Sequence, residues 1–266
     1  MSRQFHSCLT VGCVCYVNAL PFSIGLSQAP GVSLQTDTPS NLVSKLLSKE
    51  IDYALTSVIA KFSSPLHQVS FFGIAAYQKI LSVNLHATPQ FFAKEAPRIA
   101  ATKESRSSIA LMRILCKNLW KIPFPSITLL SSKEILDQVE LYDALLLIGD
   151  TALRHQIIPG FQTYDLVASW YDLTSKPFVF AGVLSYSSTV PLQLQQGFFS
   201  SLHYFQDHRE EIWRKAAALL KLPESLMQQY YSLCRYELSE EDFAGLQLFE
   251  NYYDKLPRQT EHPNHV

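Results

Sequence analysis

An apolar, β-branched run from Leu9 to Val17 is broken abruptly by Asn18-Ala19-Leu20-Pro21. An unbroken apolar run of this kind suits a strand buried on both faces, as in a parallel sheet. Asn tolerates unusual backbone angles and carries both a donor and an acceptor. Pro21 fixes φ and fits the first turn of a helix. The stretch Val11–Gly25 therefore predicts strand, sharp polar turn, helix. In open α/β sheets, ligands bind at such strand-end turns, which would put Asn18 at the mouth of a cleft. The plainer alternative is a turn-former whose side chain satisfies its own backbone.

Cys8 to Leu26 is also long and apolar enough to suggest a membrane span or the core of an export signal. Gly12, Asn18, Pro21 and Ser23 interrupt it, and only Arg3 and His6 precede it as basic groups. A lipoprotein-type cleavage before Cys13 or Cys15 would need an apolar run upstream, and there is none. The expectation is a cytoplasmic protein without a membrane span.

A length of 266 residues suits one large domain or two lobes, and 47% apolar with 17% charged residues supplies a sizeable core. The net charge of −1, with Lys and Arg scattered, lacks the basic excess of a nucleic-acid groove. Five cysteines without a C-x-x-C pair read as reduced thiols, Cys13 and Cys15 pointing to opposite faces of a strand. The histidines form no metal spacing; His262 and His265 fall in a polar tail, Gln259–Val266, expected to be frayed.

Along the chain, Ser40–Lys49 predicts a helix capped by Ser40, and Ile51–Leu55 a short strand ending at Thr56-Ser57. Phe71–Ala76, Ile80–His86 and Ile99–Ala101 read as strands, and Ile109–Leu119 as a helix after Ser105–Ser108. Ile127–Leu130 is a strand, and Ser132–Val139 a helix capped by Ser131 or Ser132. Ala144–Ile148 is an aliphatic strand ending at Gly149-Asp150, followed by a helix over Thr151–Gln156. Tyr164–Val167 and Phe178–Ser185 read as strands around a polar insertion, Trp170–Lys176. Four helices follow: Leu192–Phe205, Arg209–Leu220, Glu224–Leu233 and Glu240–Tyr253, with a box-like cap at Ser239–Asp242. Alternating strands and helices before a helical tail give an α/β architecture.

One local event recurs at Asn18, Thr56-Ser57, Ser105–Ser108 and Gly149-Asp150. A buried strand ends, a small polar residue follows, and a helix starts. Each helix start offers unpaired N–H groups and the positive end of a dipole. Several aimed at one cleft make an anion site without a basic groove; taken singly, each is plain N-capping.

Tyr16-Val17-Asn18-Ala19-Leu20-Pro21 resembles the Y-L-N-A-x-P opening of the chorismate dehydratase family, which acts first in the futalosine route to menaquinone. Asp52–Ser57, Glu104–Leu115, Leu147–Leu153 and Asp165–Ala181 resemble later segments of that family in the same order, and Tyr236, Gly245-Leu246 and Phe249 fit its C-terminal helices. One edge departs: where the family tends to carry G-x-V-R-S-V-L-L-F-S, this chain has Gln78, Leu81, Asn84 and His86 in place of Gly, Arg, Leu and Phe. The departure leaves Lys79 or backbone donors to replace the Arg.

The resemblance implies a two-lobed type II periplasmic-binding-protein-like fold with C-terminal helices. Residues 1–86 and 183–266 would form the first lobe and 87–182 the second, with hinges near 85–88 and 183–187. It implies conversion of chorismate, a dianion, to 3-[(1-carboxyvinyl)oxy]benzoate and water, with no metal or organic cofactor. Asn18 and Ser82 are the substrate-contacting pair carried over from the family. Ser57, Ser107 and Ser108 are candidate carboxylate donors. Asp150 is either a helix N-cap or a general acid, and is counted among the binding residues. A non-exported solute-binding protein of the same fold, and the naphthoate-forming sister enzyme of the pathway, are the alternatives. The oligomeric state is left open.

Overall fold

The structure, a computed structural model, describes residues 8–257; the expected frayed tail and the residues ahead of Cys8 lie outside that range. Two sheets share the chain. The first is built on β1 (Leu9–Val14), which pairs in parallel with β2 (Val32–Asp37) and β3 (Tyr53–Ser57). Parallel pairs need crossovers, supplied here by α1 (Leu20–Leu26) and α2 (Pro39–Leu47). β4 (His67–Ala76) leads the chain out toward the second sheet, through Tyr77–Ser82.

The second sheet contains β5 (Val83–Ala87), β6 (Arg98–Thr102), β7 (Ser126–Leu130), β8 (Ala144–Ile148) and β9 (Gln162–Asp165), in the order β7-β6-β8-β5-β9. α3 (Arg106–Asn118), α4 (Ser132–Asp137) and α5 (Gly149–Arg154) follow β6, β7 and β8, and α6 (Leu166–Thr174) leads from β9 back toward the first sheet. β10 (Phe178–Ser185) then returns to the first sheet and pairs antiparallel with both β3 and β4. α7 (Leu192–Asp207), α8 (Arg209–Leu220), α9 (Glu224–Leu233), edge strand β11 (Cys234–Glu237) and α10 (Glu240–Tyr253) complete the first lobe, whose sheet runs β11-β4-β10-β3-β1-β2.

The core follows the period of each element. β8 turns Ala144, Leu146 and Ile148 toward the main core and Leu145 and Leu147 toward a smaller cluster with Ile135 and Ala152. This two-sided burial accounts for its unbroken aliphatic sequence. Cys13, inside β1, is buried and Cys15 is exposed, but not because the two face opposite sides of one strand as expected: residues two apart share a face, and Cys15 is exposed because it lies just past the end of β1. The capping box at Ser239 is present, with Asp242 Oδ2 accepting the Ser239 N–H at 2.8 Å, and so is the one at Ser131 with Glu134.

Several expectations are corrected. β1 stops at Val14, and Val17–Ala19 is a turn of 3-10 helix, so the polar break reaches further back than Asn18. α2 starts at Pro39 behind Thr38; Ser40 lies inside its first turn rather than capping it. β5 starts only at Val83, because Asp165 Oδ2 draws the Ile80 and Leu81 N–H groups out of the ladder, both at 2.8 Å. The same carboxylate caps α6 through Val167 and Ala168, so the supposed strand end and polar insertion at Tyr164–Lys176 are mostly helix. Ile148 occupies the N-cap of α5, so that helix begins at Gly149 rather than Thr151. The lobe boundaries move as well. β5 belongs wholly to the second sheet and β10 wholly to the first, so the chain crosses at Tyr77–Ser82 and Ser175–Pro177 rather than at 86/87 and 182/183. Long-range pairing of β10 with β4 and β3 decides this, and a strand's own composition carries no record of which sheet it joins.

Candidate functional site

The C-terminal ends of β1, β3 and β8 and the segment after β6 converge between the sheets, where open α/β folds hold ligands. They enclose a cavity of about 50 Å³ lined by Tyr16, Asn18, Pro39, Ser57, Ser82, Ser105, Ser107, Ser108 and Gly149, with Val14, Ile74, Val83, Ile148, Phe180 and Ala181 as its apolar walls.

On the first lobe, the 3-10 turn Val17–Ala19 presents Asn18. The turn is held at its first residue by two partners: Val17 N–H donates to Asp150 Oδ1 at 3.1 Å, and Val17 O accepts the Tyr231 hydroxyl at 2.6 Å. The Asn18 amide oxygen is buried without a hydrogen-bond partner. An orphaned acceptor of this kind is costly unless a ligand or water satisfies it. Beside it, the Tyr16 ring lies over Gly149, where an added Cβ would come within 2.8 Å of the ring, at a φ of +55°. Only glycine meets both conditions.

On the second lobe, the N-terminus of α3 supplies hydroxyls. Ser105 is its N-cap and accepts the Ser108 N–H at 3.3 Å. The Ser105 oxygen also lies 3.3 Å from that of Ser107 and 3.0 Å from that of Ser108. Ser57, at the end of β3, donates to Ser107 Oγ at 3.1 Å, tying the two lobes together. Tyr16 makes a second tie, its hydroxyl donating to Glu104 Oε2 at 3.0 Å. These two contacts bridge the lobes across the cavity.

Ser82 sits on the crossover between sheets. Its carbonyl accepts the Gly149 N–H at 2.7 Å and its hydroxyl oxygen accepts from Tyr230 at 3.0 Å. The crossover contains two non-glycine residues in the left-handed region, Gln78 at φ +70° and Leu81 at φ +69°. Three of the residues that depart from the family pattern, Leu81, Asn84 and His86, are linked there through Gln156 and Thr163. Leu81 O accepts from both Asn84 Nδ2 and Gln156 Nε2 at 2.8 Å. Thr163 gives its proton to Gln156 O, so its oxygen, 3.0 Å from His86 Nδ1, accepts from that ring nitrogen. This leaves His86 Nε2 as a bare buried acceptor. Burial, with His155 nearby, pushes the His86 pKa down to about 4, so the ring is neutral.

Asn18, Ser57, Ser82, Ser107 and Ser108 thus line one cavity. Asp150 does not. Ile148 holds the N-cap position of α5, and Asp150 in the first turn of that helix instead caps the neighbouring turn through Val17. Burial raises the Asp150 pKa, against the pull of the Val17 hydrogen bond and Arg154. Lys79 is exposed and does not line the cavity, so it does not replace the expected Arg. Sequence reasoning missed Pro39, Phe180, and the tyrosines of α9 that reach the site from behind. The Tyr230-Tyr231 pair at buried positions of a helix was the available signal.

The lining contains no Asp, Glu, His, Lys or Arg. Its one titratable group, Tyr16, has its pKa raised by burial and then by the charge of Glu104. The cavity therefore offers neutral hydroxyl, amide and backbone donors, and no side chain that takes up a proton near neutral pH. Among the described residues, no group of three or more His, Cys, Asp or Glu could hold a metal ion, and no helix is long and apolar enough to cross a membrane.

Comparison with solved structures shows the periplasmic-binding-protein fold. A protein of Archaeoglobus fulgidus superposes with a TM-score of 0.75 at 13% identity, covering 95% of this chain and 98% of that one. The periplasmic aliphatic sulphonate binding protein of Escherichia coli superposes with a TM-score of 0.65 at 15% identity, covering 93% and 87%. In sequence, the chorismate dehydratase of Thermus thermophilus is 28% identical over 257 residues, 88% of this chain and 91% of that protein. A family model described as menaquinone biosynthesis matches residues 9–255, nearly all of the described structure, and the chain belongs to that family.

Proposed function

We propose that the protein is a chorismate dehydratase, a carbon–oxygen lyase that converts chorismate to 3-[(1-carboxyvinyl)oxy]benzoate and water. The family match and the similarity to the Thermus thermophilus enzyme support the substrate. The observation that carries the mechanism is a cavity rich in donors and without an ionisable base. Elimination needs a group to take the C3 proton and help for the departing C4 hydroxyl. A neutral amide or a protonated phenol is a very poor base. Chorismate brings its own: the enolpyruvyl carboxylate, tethered through the ether oxygen on C3. In this reading that carboxylate removes the C3 proton directly or through a water. The C3–H electrons form the C3–C4 double bond, the C4–O bond breaks, the departing hydroxide takes up the abstracted proton and leaves as water, and aromatisation drives the reaction.

The protein's part is to orient and to exclude water. Asn18 orients the side-chain carboxylate through its amide N–H. Ser82 donates to the leaving hydroxyl. Ser57 at the end of β3, with Ser107 and Ser108 at the start of α3, holds the ring carboxylate with the help of the helix dipole. Asp150 is a structural acceptor in this scheme. Its carboxylate and that of Glu104 are turned onto Val17 and Tyr16, away from a bound dianion. The site works in the cytoplasm on a small molecule and requires no nucleic acid.

Incubation with chorismate, followed by absorbance and mass analysis, tests the reading. Loss of one water and appearance of a benzoate chromophore is the expected result. Tight binding of chorismate without loss of water would make the protein a solute-binding member of the fold instead.

A further inference from the structure

Two consecutive phenols reach the site from the C-terminal helices. Tyr230 and Tyr231 lie on α9, both buried, at 0% and 4% exposure. Successive helical side chains diverge by about 100°, so the two hydroxyls go to different targets. Tyr230 reaches Ser82 Oγ at 3.0 Å and Tyr231 reaches Val17 O at 2.6 Å. One target is a cavity residue, and the other is the residue before Asn18.

Hydrogen-bond accounting gives these contacts a direction. A serine hydroxyl has one proton to donate and accepts through its lone pairs. Ser82 is 2% exposed and its backbone carbonyl is already engaged by Gly149. If Tyr230 donates to Ser82 Oγ, the serine proton is left for the cavity. If Tyr230 accepts instead, the serine proton is used up behind the site and Ser82 has nothing to donate to a leaving hydroxyl. Complete burial raises the Tyr230 pKa well above its ordinary value, so the phenol keeps its proton. Donation to Ser82 also polarises the serine O–H and strengthens it as a donor.

We infer that Tyr230 and Tyr231 are positioning residues of the site, Tyr230 directing the Ser82 proton into the cavity and Tyr231 fixing the turn that carries Asn18. The inference rests on the proposed dehydratase reading for its kinetic consequence, and on geometry alone for its structural one. The C-terminal helices therefore do more than cover the first lobe. They set the orientation of one polar group on the crossover and one on the β1 turn.

Tyr230→Phe keeps the ring and its packing and removes only the hydroxyl. It is compared with Ser82→Ala and with the double variant, in kcat and KM for chorismate. Loss of one buried hydrogen bond should lower kcat about three- to tenfold with KM little changed. In the Ser82→Ala background the same substitution should have no further effect on kcat. A full additional loss in that background, or no loss in the wild-type background, would overturn the role of Tyr230. Tyr231→Phe is read in the same way against Asn18→Ala.

A second measurement does not depend on turnover. In a crystal structure of Tyr230→Phe, the Ser82 side chain should occupy a different or split rotamer. An unchanged single rotamer overturns the inference even if kcat falls. If the wild-type protein fails to dehydrate chorismate while Ser82 still moves in Tyr230→Phe, the dehydratase reading fails and the positioning role stands.

Discussion

The Asn18 turn and the Ser82 crossover both present one small polar side chain to the same cavity, and they are built in opposite ways. The turn has no residue in the left-handed region, and Pro21 opens the helix after it. Its backbone is unstrained, and Asp150 and Tyr231 fasten it at one residue, Val17. The crossover holds Gln78 and Leu81 at positive φ, where a side chain costs about 1–2 kcal/mol per residue. Distant partners hold it there, Asp165 on the Ile80 and Leu81 N–H groups, Gln156 on Leu81 O and Tyr230 on Ser82, and Asn84 adds a local bond to Leu81 O. A site residue can therefore be kept while its scaffold is rebuilt, provided that long-range hydrogen bonds replace what local sequence no longer specifies.

The largest expected effects lie at the two presented side chains. Asn18→Ala and Ser82→Ala should each lower kcat by about 10²–10⁴-fold, the range typical of a lost positioning or proton-transfer contribution. Asn18→Asp should raise KM more than Asn18→Ala does, because it sets a negative charge beside a dianion. Steady-state kinetics on folded variants check both. If one position proves silent, the two regions do not share one task.

Asp165→Ala attacks the crossover scaffold. It removes a carboxylate that accepts from Ile80, Leu81, Val167 and Ala168. With a helix cap and two further charge-assisted bonds lost, stability should fall by about 2–4 kcal/mol in urea denaturation. A loss within experimental error would mean that the crossover does not need its distant clamp.

Asp150→Asn probes the turn's clamp. The amide still accepts the Val17 N–H, so kcat should stay close to wild type. The stability effect has a definite sign. A carboxyl whose folded pKa is raised holds its proton more tightly in the folded state, so its contribution is most favourable at low pH and is lost as pH rises through the folded value. The variant should therefore melt higher than wild type at neutral pH, and the difference should close on acidification. Thermal melts across that range decide it. Abolished turnover with intact folding would instead make Asp150 a catalytic acid.

The smallest effect is expected at Gln78. Gln78→Gly relieves the left-handed strain but loosens the unfolded chain, for a net gain of about 0.5–1 kcal/mol by urea melts. Destabilisation would show that the Gln78 side chain contributes more than its backbone strain costs.

The same contrast explains what the sequence disclosed. The Asn18 turn, the serines before α3, the aliphatic β8 and the four C-terminal helices are specified by local pattern, and each lies where its composition places it. The crossover start, the lobe boundaries and β11 depend on partners far along the chain. Cys234–Glu237 alternates apolar and charged residues over only four positions directly after a helix, too short a run to declare a strand, and becomes an edge strand by pairing with β4. Asp165 reads as part of a strand end, yet it clamps the crossover and caps α6. Tyr230 and Tyr231 read as ordinary core residues of a helix, because nothing in α9 itself shows where their hydroxyls go.

The central claim is that the cavity lacks a base and that the substrate supplies it. The direct measurement compares turnover of chorismate with that of an analogue in which the enolpyruvyl carboxylate is replaced by an uncharged group. The account predicts rapid loss of water from chorismate, and an analogue that binds in the cleft without being dehydrated. Dehydration of the analogue at a comparable kcat would contradict it and place the base on the protein.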